Sequence, residues 1–254
     1  MHRKLFRDDV VVLRTHKLGE ADHIVSLLGR RTGRMRAVAK GVRRTSSKFG
    51  ARLAPFGHVD LQLLEGRNLH TVTQAVGIEL YGRVLMSDYQ RYTVACAISE
   101  TADKLIPEEH EPSLDIFQLT LGALHALARK TRPATLILDA YLLRSMRAAG
   151  LQPALDSCAS CGSHGDFRAF SVAAGGTVCR TCRPPGAAHP APTALTLMRA
   201  LMTGDWDTAL GSPQSTRNET SGLVSAHLQW HMERSVRSLS YVQRTPRRNE
   251  MEKP

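Results

Sequence analysis

The sequence predicts an α+β protein in two parts, an N-terminal five-stranded barrel followed by an α-helical domain that carries a knuckle of four cysteines. Three observations carry that expectation. Over the first eighty or so residues the apolar positions alternate between glycine-marked turns. From about residue 83 the period lengthens to that of a helix, and two Cys-x-x-Cys pairs follow, 17 residues apart. The expected boundaries are 1–80 for the barrel and 81–254 for the helical domain, with the cysteine-bearing insertion at about 153–187.

The barrel strands are read as Val10 to Lys17, His23 to Gly29, Gly33 to Gly41, His58 to Leu64 and Leu69 to Val76, with Gly19, Gly29, Gly33, Gly57 and Gly66 at the turns. In the fourth strand Val59, Leu61 and Leu63 face inward and His58, Asp60 and Gln62 outward. In the third, Met35, Ala37 and Ala39 face inward, so Arg34, Arg36 and Lys40 are expected in a row on the solvent side.

Helices are expected over Ser87 to Ile106, with Ser87 and Gln90 in capping-box spacing, and over Leu114 to Leu127, apolar on almost every side. Others run from near Pro133 to Gly150, from Thr193 to about Met202, and from about Leu223 to Val242. Residues 211–222 read as a loop and 244–254 as a frayed tail.

The charge is uneven. The 254 residues carry a formal +11 with a pI near 9.9, and a cationic field of that size favours a polyanionic partner. Nine cations fall between Arg30 and Arg52, while no Asp or Glu lies between His23 and Val59. Codon bias explains arginine over lysine, but it does not remove acids. The basic third strand and the polar loop after it follow the OB-fold plan for single-stranded nucleic acid, and the expected contacts are Arg34, Arg36, Lys40, Arg43, Arg44, Lys48 and Arg52. Phe49 stands as either a stacking platform or a core residue, and Phe56 as core. Binding is therefore expected through phosphates, with little reading of base identity.

Cys158-x2-Cys161 and Cys179-x2-Cys182 can point four sulfurs at one centre, the donor set of a closed tetrahedral zinc site, with an iron–sulfur cluster as the alternative. Gly162 and the pair Gly175 and Gly176 supply the turns. Four thiolates leave no position for water, so one structural Zn2+ is expected and no metal catalysis. Cys96 receives no role.

Other chemistry finds no motif. There is no phosphate loop of the Gly-x4-Gly-Lys-Ser/Thr type, and no His-x-Glu stands ahead of the cysteine pairs as a zinc deaminase requires. Glu108-Glu109-His110-Glu111 is stopped by Pro112 and reads as a solvated connection. No stretch of roughly 18 apolar residues and no signal-like N-terminus occurs, so a soluble, cytoplasmic protein is expected, with no membrane partner.

Taken in order, Leu13-Arg14-Thr15, Gly19-Glu20-Ala21-Asp22, Ala39-Lys40-Gly41-Val42-Arg43-Arg44, Phe49-Gly50-Ala51-Arg52-Leu53, and Phe170-Ser171 with Gly175-Gly176 before Cys179 resemble the RecO family of bacterial recombination mediators, over the chain to about residue 240. High arginine usage and a complete four-cysteine knuckle resemble an actinobacterial member. The resemblance implies an N-terminal OB-fold, a helical C-terminal domain and a non-enzymatic role in DNA repair: binding single-stranded DNA and duplex DNA, annealing strands, and loading RecA together with RecR. It also implies docking on the acidic C-terminal tail of the single-stranded-DNA-binding protein. Arg129, Lys130 and Arg132 are the candidate rim for that tail, although a helix C-terminus attracts cations in any case. The alternative function is a zinc-ribbon scaffold that binds RNA or an acidic protein partner.

Overall fold

The computed structural model describes residues 4–106, 108–165, 167–232 and 235–244. The chain forms two compact units, Met1–Thr131 and Arg132–Pro254.

In the first unit, strands β1 (Leu5–Leu18), β2 (Asp22–Gly29), β3 (Gly33–Ala39), β4 (Gly57–Leu64) and β5 (His70–Leu80) close into a barrel of order β1-β2-β3-β5-β4. Alternation sets the faces as expected: Met35, Ala37, Ala39, Val59, Leu61 and Leu63 are wholly buried in the barrel core with Val10, Val12, Val25 and Leu27. The β2–β3 hairpin is tied from beneath. Buried Asp8 accepts hydrogen bonds from the Thr32 hydroxyl at 2.6 Å and the Thr32 amide at 2.9 Å, so its desolvation is offset by donors of the turn itself.

The same unit contains α1 (Gly82–Met86), α2 (Tyr89–Leu105) and α3 (Leu114–Ala128). The boundary between compact units thus falls some fifty residues beyond the end of the barrel, because α2 and α3 pack on each other and on β1. That packing corrects two expectations. His58 points away from the barrel interior yet is only 9% exposed, since the Phe117 ring of α3 meets it edge-on at 6.3 Å. Nor is α3 central: Leu114 is exposed and only one face, with Ile116, Phe117, Thr120, Leu124 and Leu127, is buried. The cap of α2 is Asp88 rather than Ser87, for the Asp88 carboxylate accepts the Arg91 amide at 3.1 Å.

The second unit holds α4 (Ala134–Ala148), the short hairpin β6 (Ala169–Ser171) and β7 (Gly176–Val178), α5 (Pro192–Thr203), α6 (Trp206–Gly211) and α7 (Gln214–His231). Here α4 is the buried helix, with Leu136, Leu138, Leu142, Leu143 and Met146 fully enclosed. The segment expected as a loop before residue 223 is the first half of α7, and the helix ends at His231, with a separate 3-10 turn over Arg237–Tyr241. Its buried face is hydroxylic. Thr220 donates to the Ala194 carbonyl at 3.2 Å and Ser221 to the buried Asp139 carboxylate, so a count of apolar residues finds no helical period there. Of the expected tail 244–254, Arg244 is anchored instead of frayed, its guanidinium 3.2 Å from the buried Asp139 carboxylate and donating to Ser225 at 2.7 Å; residues 245–254 lie outside the described residues.

Candidate nucleic-acid interface and metal centre

The seven cations divide into two groups. Lys40, Arg43, Arg44, Lys48 and Arg52 lie on the exposed excursion between β3 and β4 and none is ion-paired among the described residues. The loop is shaped by its own side chains: Arg43 donates to the Gly19 and Glu20 carbonyls at 3.2 and 2.8 Å, Lys48 to the Thr73 carbonyl at 3.0 Å, and Arg52 to the Lys48 carbonyl at 2.8 Å. These bonds consume donors but no charge, so the loop keeps its positive field.

Arg34 and Arg36 are differently placed. Arg34 faces the Asp103 carboxylate of α2 at 3.7 Å, and Arg36 donates to Glu109 in the α2–α3 connection at 2.6 Å. The row of three open cations expected on β3 therefore reduces to Lys40. Phe49 closes the stacking question by geometry, being 2% exposed within the barrel core, where it and Leu53 plug the end under the loop. Lys48 lies over its ring at 5.1 Å. The loop thus offers open positive charge and no open aromatic face.

The four cysteines meet. Their sulfurs all lie within 4.8 Å of one another, and Cys161 and Cys179 are 3.9 Å apart. A tetrahedron of metal–sulfur bonds near 2.3 Å has edges of about 3.8 Å, so the cluster has the dimensions of a closed four-thiolate site. The first knuckle turn is held by the Gly162 amide on the Cys158 carbonyl and the Cys158 amide on the Ser163 carbonyl, both 2.8 Å. The Cys179 amide donates to the Cys158 sulfur at 3.4 Å and pulls that thiol down to about 6, whereas Cys182, hydrogen-bonded to the neighbouring thiols, is pushed up to about 12. A bound dication removes that crowding of charge, and the donor set fits one.

Gly176 anchors the hairpin behind the knuckle. Its φ is +152°, and a Cβ there would lie 2.2 Å from the Ala154 carbonyl oxygen. Gly176→Ala is expected to destabilise the second unit by on the order of 3 kcal/mol, read from denaturant unfolding. An unchanged midpoint would show that the hairpin absorbs the side chain.

The candidate tail residues have separate surroundings. Arg129 faces Glu79 at 3.8 Å, and Lys130 holds a left-handed turn with φ 54° at the end of α3. Arg132, in the second unit, stacks over the Trp206 ring at 4.1 Å, with the Arg144 guanidinium 5.8 Å from the same ring. Sequence reasoning singled out neither Trp206 nor Arg144, and the tryptophan following Gly204-Asp205 was the available signal. Cys96 is half-buried, and burial pushes its thiol up, away from reactivity.

Two family models match the chain. The model described as recombination protein O N terminal matches residues 1–81, and that described as recombination protein O C terminal matches residues 86–240.

Proposed function

The chain belongs to the recombination protein O family, and from that family's mediator role in recombination and DNA repair we propose that it binds single-stranded DNA, and duplex DNA as well, along the β3–β4 excursion. The observation that carries the reading is the set of five exposed cations, Lys40, Arg43, Arg44, Lys48 and Arg52, none of them ion-paired among the described residues. In this reading the protein acts without catalysis in the cytoplasm, at the nucleoid. It anneals complementary strands and, with RecR, loads RecA. Zn2+ is the ion we assign to Cys158, Cys161, Cys179 and Cys182, where it supplies the charge that holds four thiolates together and ties the knuckle to the hairpin.

The test is a titration of single-stranded DNA, duplex DNA and RNA of equal length, with and without Mg2+. Tight, sequence-tolerant binding of the DNA strand without cleavage is the expected result. A preference for RNA would support a scaffold reading instead, and cleavage would make the protein an enzyme.

The acidic tail of the single-stranded-DNA-binding protein is assigned to the second unit, where the Arg132 and Arg144 guanidinium groups lie 4.1 and 5.8 Å from the Trp206 ring and neither arginine is ion-paired among the described residues. A synthetic acidic peptide with an apolar C-terminus should bind there, and Trp206→Ala should weaken it roughly tenfold, as loss of an aromatic anchor does. Equal affinity in the variant would move the tail elsewhere.

A further inference from the structure

We propose that the outer face of β3 is a second phosphate subsite, and that Asp103 near the end of α2 and Glu109 of the acidic α2–α3 connection occupy it as built-in competitors which a nucleic-acid strand displaces. The proposal rests on the DNA-binding reading above and concerns how that site is regulated.

Arg34 and Arg36 lie two residues apart on one face of β3, about 6.6 Å along the strand. Each is met by a carboxylate from outside the barrel, Asp103 at 3.7 Å and Glu109 at 2.6 Å. These are the groups that a phosphate chain would replace, one anion for one anion. The connection also uses the backbone of β3. The His110 amide donates to the Arg34 carbonyl at 2.9 Å, on a strand that meets β5 only at Ala37–His70 and Val38–Thr71. The chain passes so close to the start of β3 that a Cβ on Gly33 would lie 1.9 Å from the Glu111 carbonyl oxygen. His110 takes φ 68° to make this path, a left-handed conformation that non-glycine residues rarely adopt. Its ring meets His70 edge-on at 5.0 Å.

The cover is removable on physical grounds. The Arg36 side chain is 49% exposed within its ion pair, and pairs open to water are weak and screened by salt. A strand already held on the five open cations brings phosphates next to β3 at high local concentration, and the carboxylates then compete with a polyanion. The same connection carries its own control, because Glu108 and Glu111 are exposed and ion-paired to neither arginine.

The experiment measures affinity of the full-length protein for a fluorescent oligothymidylate against salt concentration. Asp103→Asn with Glu109→Gln should raise affinity on the order of tenfold at low salt and steepen the slope of log affinity on log salt by about 1.4, two phosphates at roughly 0.7 each. Glu109→Gln alone, at a partly exposed position, should give about half that steepening and serves if the double variant folds poorly. Glu108→Gln with Glu111→Gln changes net charge equally and should leave the slope alone. Arg34→Ala with Arg36→Ala should weaken binding about twofold to threefold in the native background, where a strand reaches the two arginines only by displacing the carboxylates, and should cancel the gain when combined with the first pair, a coupling that a double-mutant cycle isolates. An equal gain from the control pair, or a gain that survives loss of both arginines, overturns the competitor. So does an unchanged slope in the first pair. Failure of the DNA-binding reading is distinct, since the native protein would then bind no strand or be indifferent to Arg43 and Arg44.

Discussion

Cys161→Ser is expected to release the metal from the protein and to destabilise the second unit by several kcal/mol. The sulfur of Cys161 is one of four within 4.8 Å, and a structural ion bound by four thiolates contributes its binding energy to folding directly. Three remaining thiolates and a hydroxyl hold zinc poorly. The knuckle is coupled to the helices of its unit through few bonds: Arg199 of α5 donates to Asp156 at 2.7 Å and to the Leu155 carbonyl, just ahead of Cys158. Loss of the ion therefore frees the segment from Leu155 to Cys182, while the core around α4 retains its apolar packing. Elemental analysis and thermal unfolding read the two effects. One equivalent of zinc retained in the variant would remove Cys161 from the ligand set, and iron with visible absorption in the native protein would replace zinc by a cluster. Since the barrel belongs to the other compact unit, strand binding should persist in the variant at low temperature.

Arg43→Glu with Arg44→Glu is expected to weaken single-strand binding on the order of a hundredfold at low salt, alike for every sequence. Five open cations on the β3–β4 excursion imply a native slope of roughly −3.5, and the variant should flatten it by about 1.4 or more, because two contacts are lost and two repulsions gained. Arg43 also donates to the Gly19 and Glu20 carbonyls, so its loss loosens the loop, whereas Arg44 makes no side-chain hydrogen bond among the described residues. Arg44→Glu alone separates charge from shape and should account for about half the change in slope. Unaltered binding by both folded variants would take the strand off this loop.

How much of this was legible in the sequence follows from the range over which each feature is determined. Alternation of Met35, Ala37 and Ala39, or of Val59, Leu61 and Leu63, fixes which side of a strand is apolar, and the five strands were recovered with ends displaced by a few residues, most at the start of β1 and the exposed far end of β5. The two Cys-x-x-Cys turns are local geometry, so their convergence could be expected from spacing. Short-range ambiguity explains the misread cap at Ser87, one residue from Asp88. It also explains the first half of α7, whose buried Thr216, Thr220 and Ser221 look like loop composition until the Thr193 hydroxyl, the Ala194 carbonyl and Asp139 are there to meet their hydroxyls.

The state of the cationic row was another matter. A stretch without an acid from His23 to Val59 says that no neighbour in sequence neutralises Arg34 and Arg36, and it is silent on Asp103 and Glu109, the latter 73 residues from its partner. Likewise Phe49 beside a polar loop could have stacked on a base, and only closure of the barrel made a cavity at its end for the ring to fill. By itself the sequence determined the barrel, the four-cysteine cluster, the family and the sign of the charge, because each is written in residues close together in the chain. Tertiary structure alone decided which cations stay open, because an ion pair depends on distance in space, and the acids that close β3 arrive on α2 and on its connection to α3, brought there as the two helices pack to bury apolar surface.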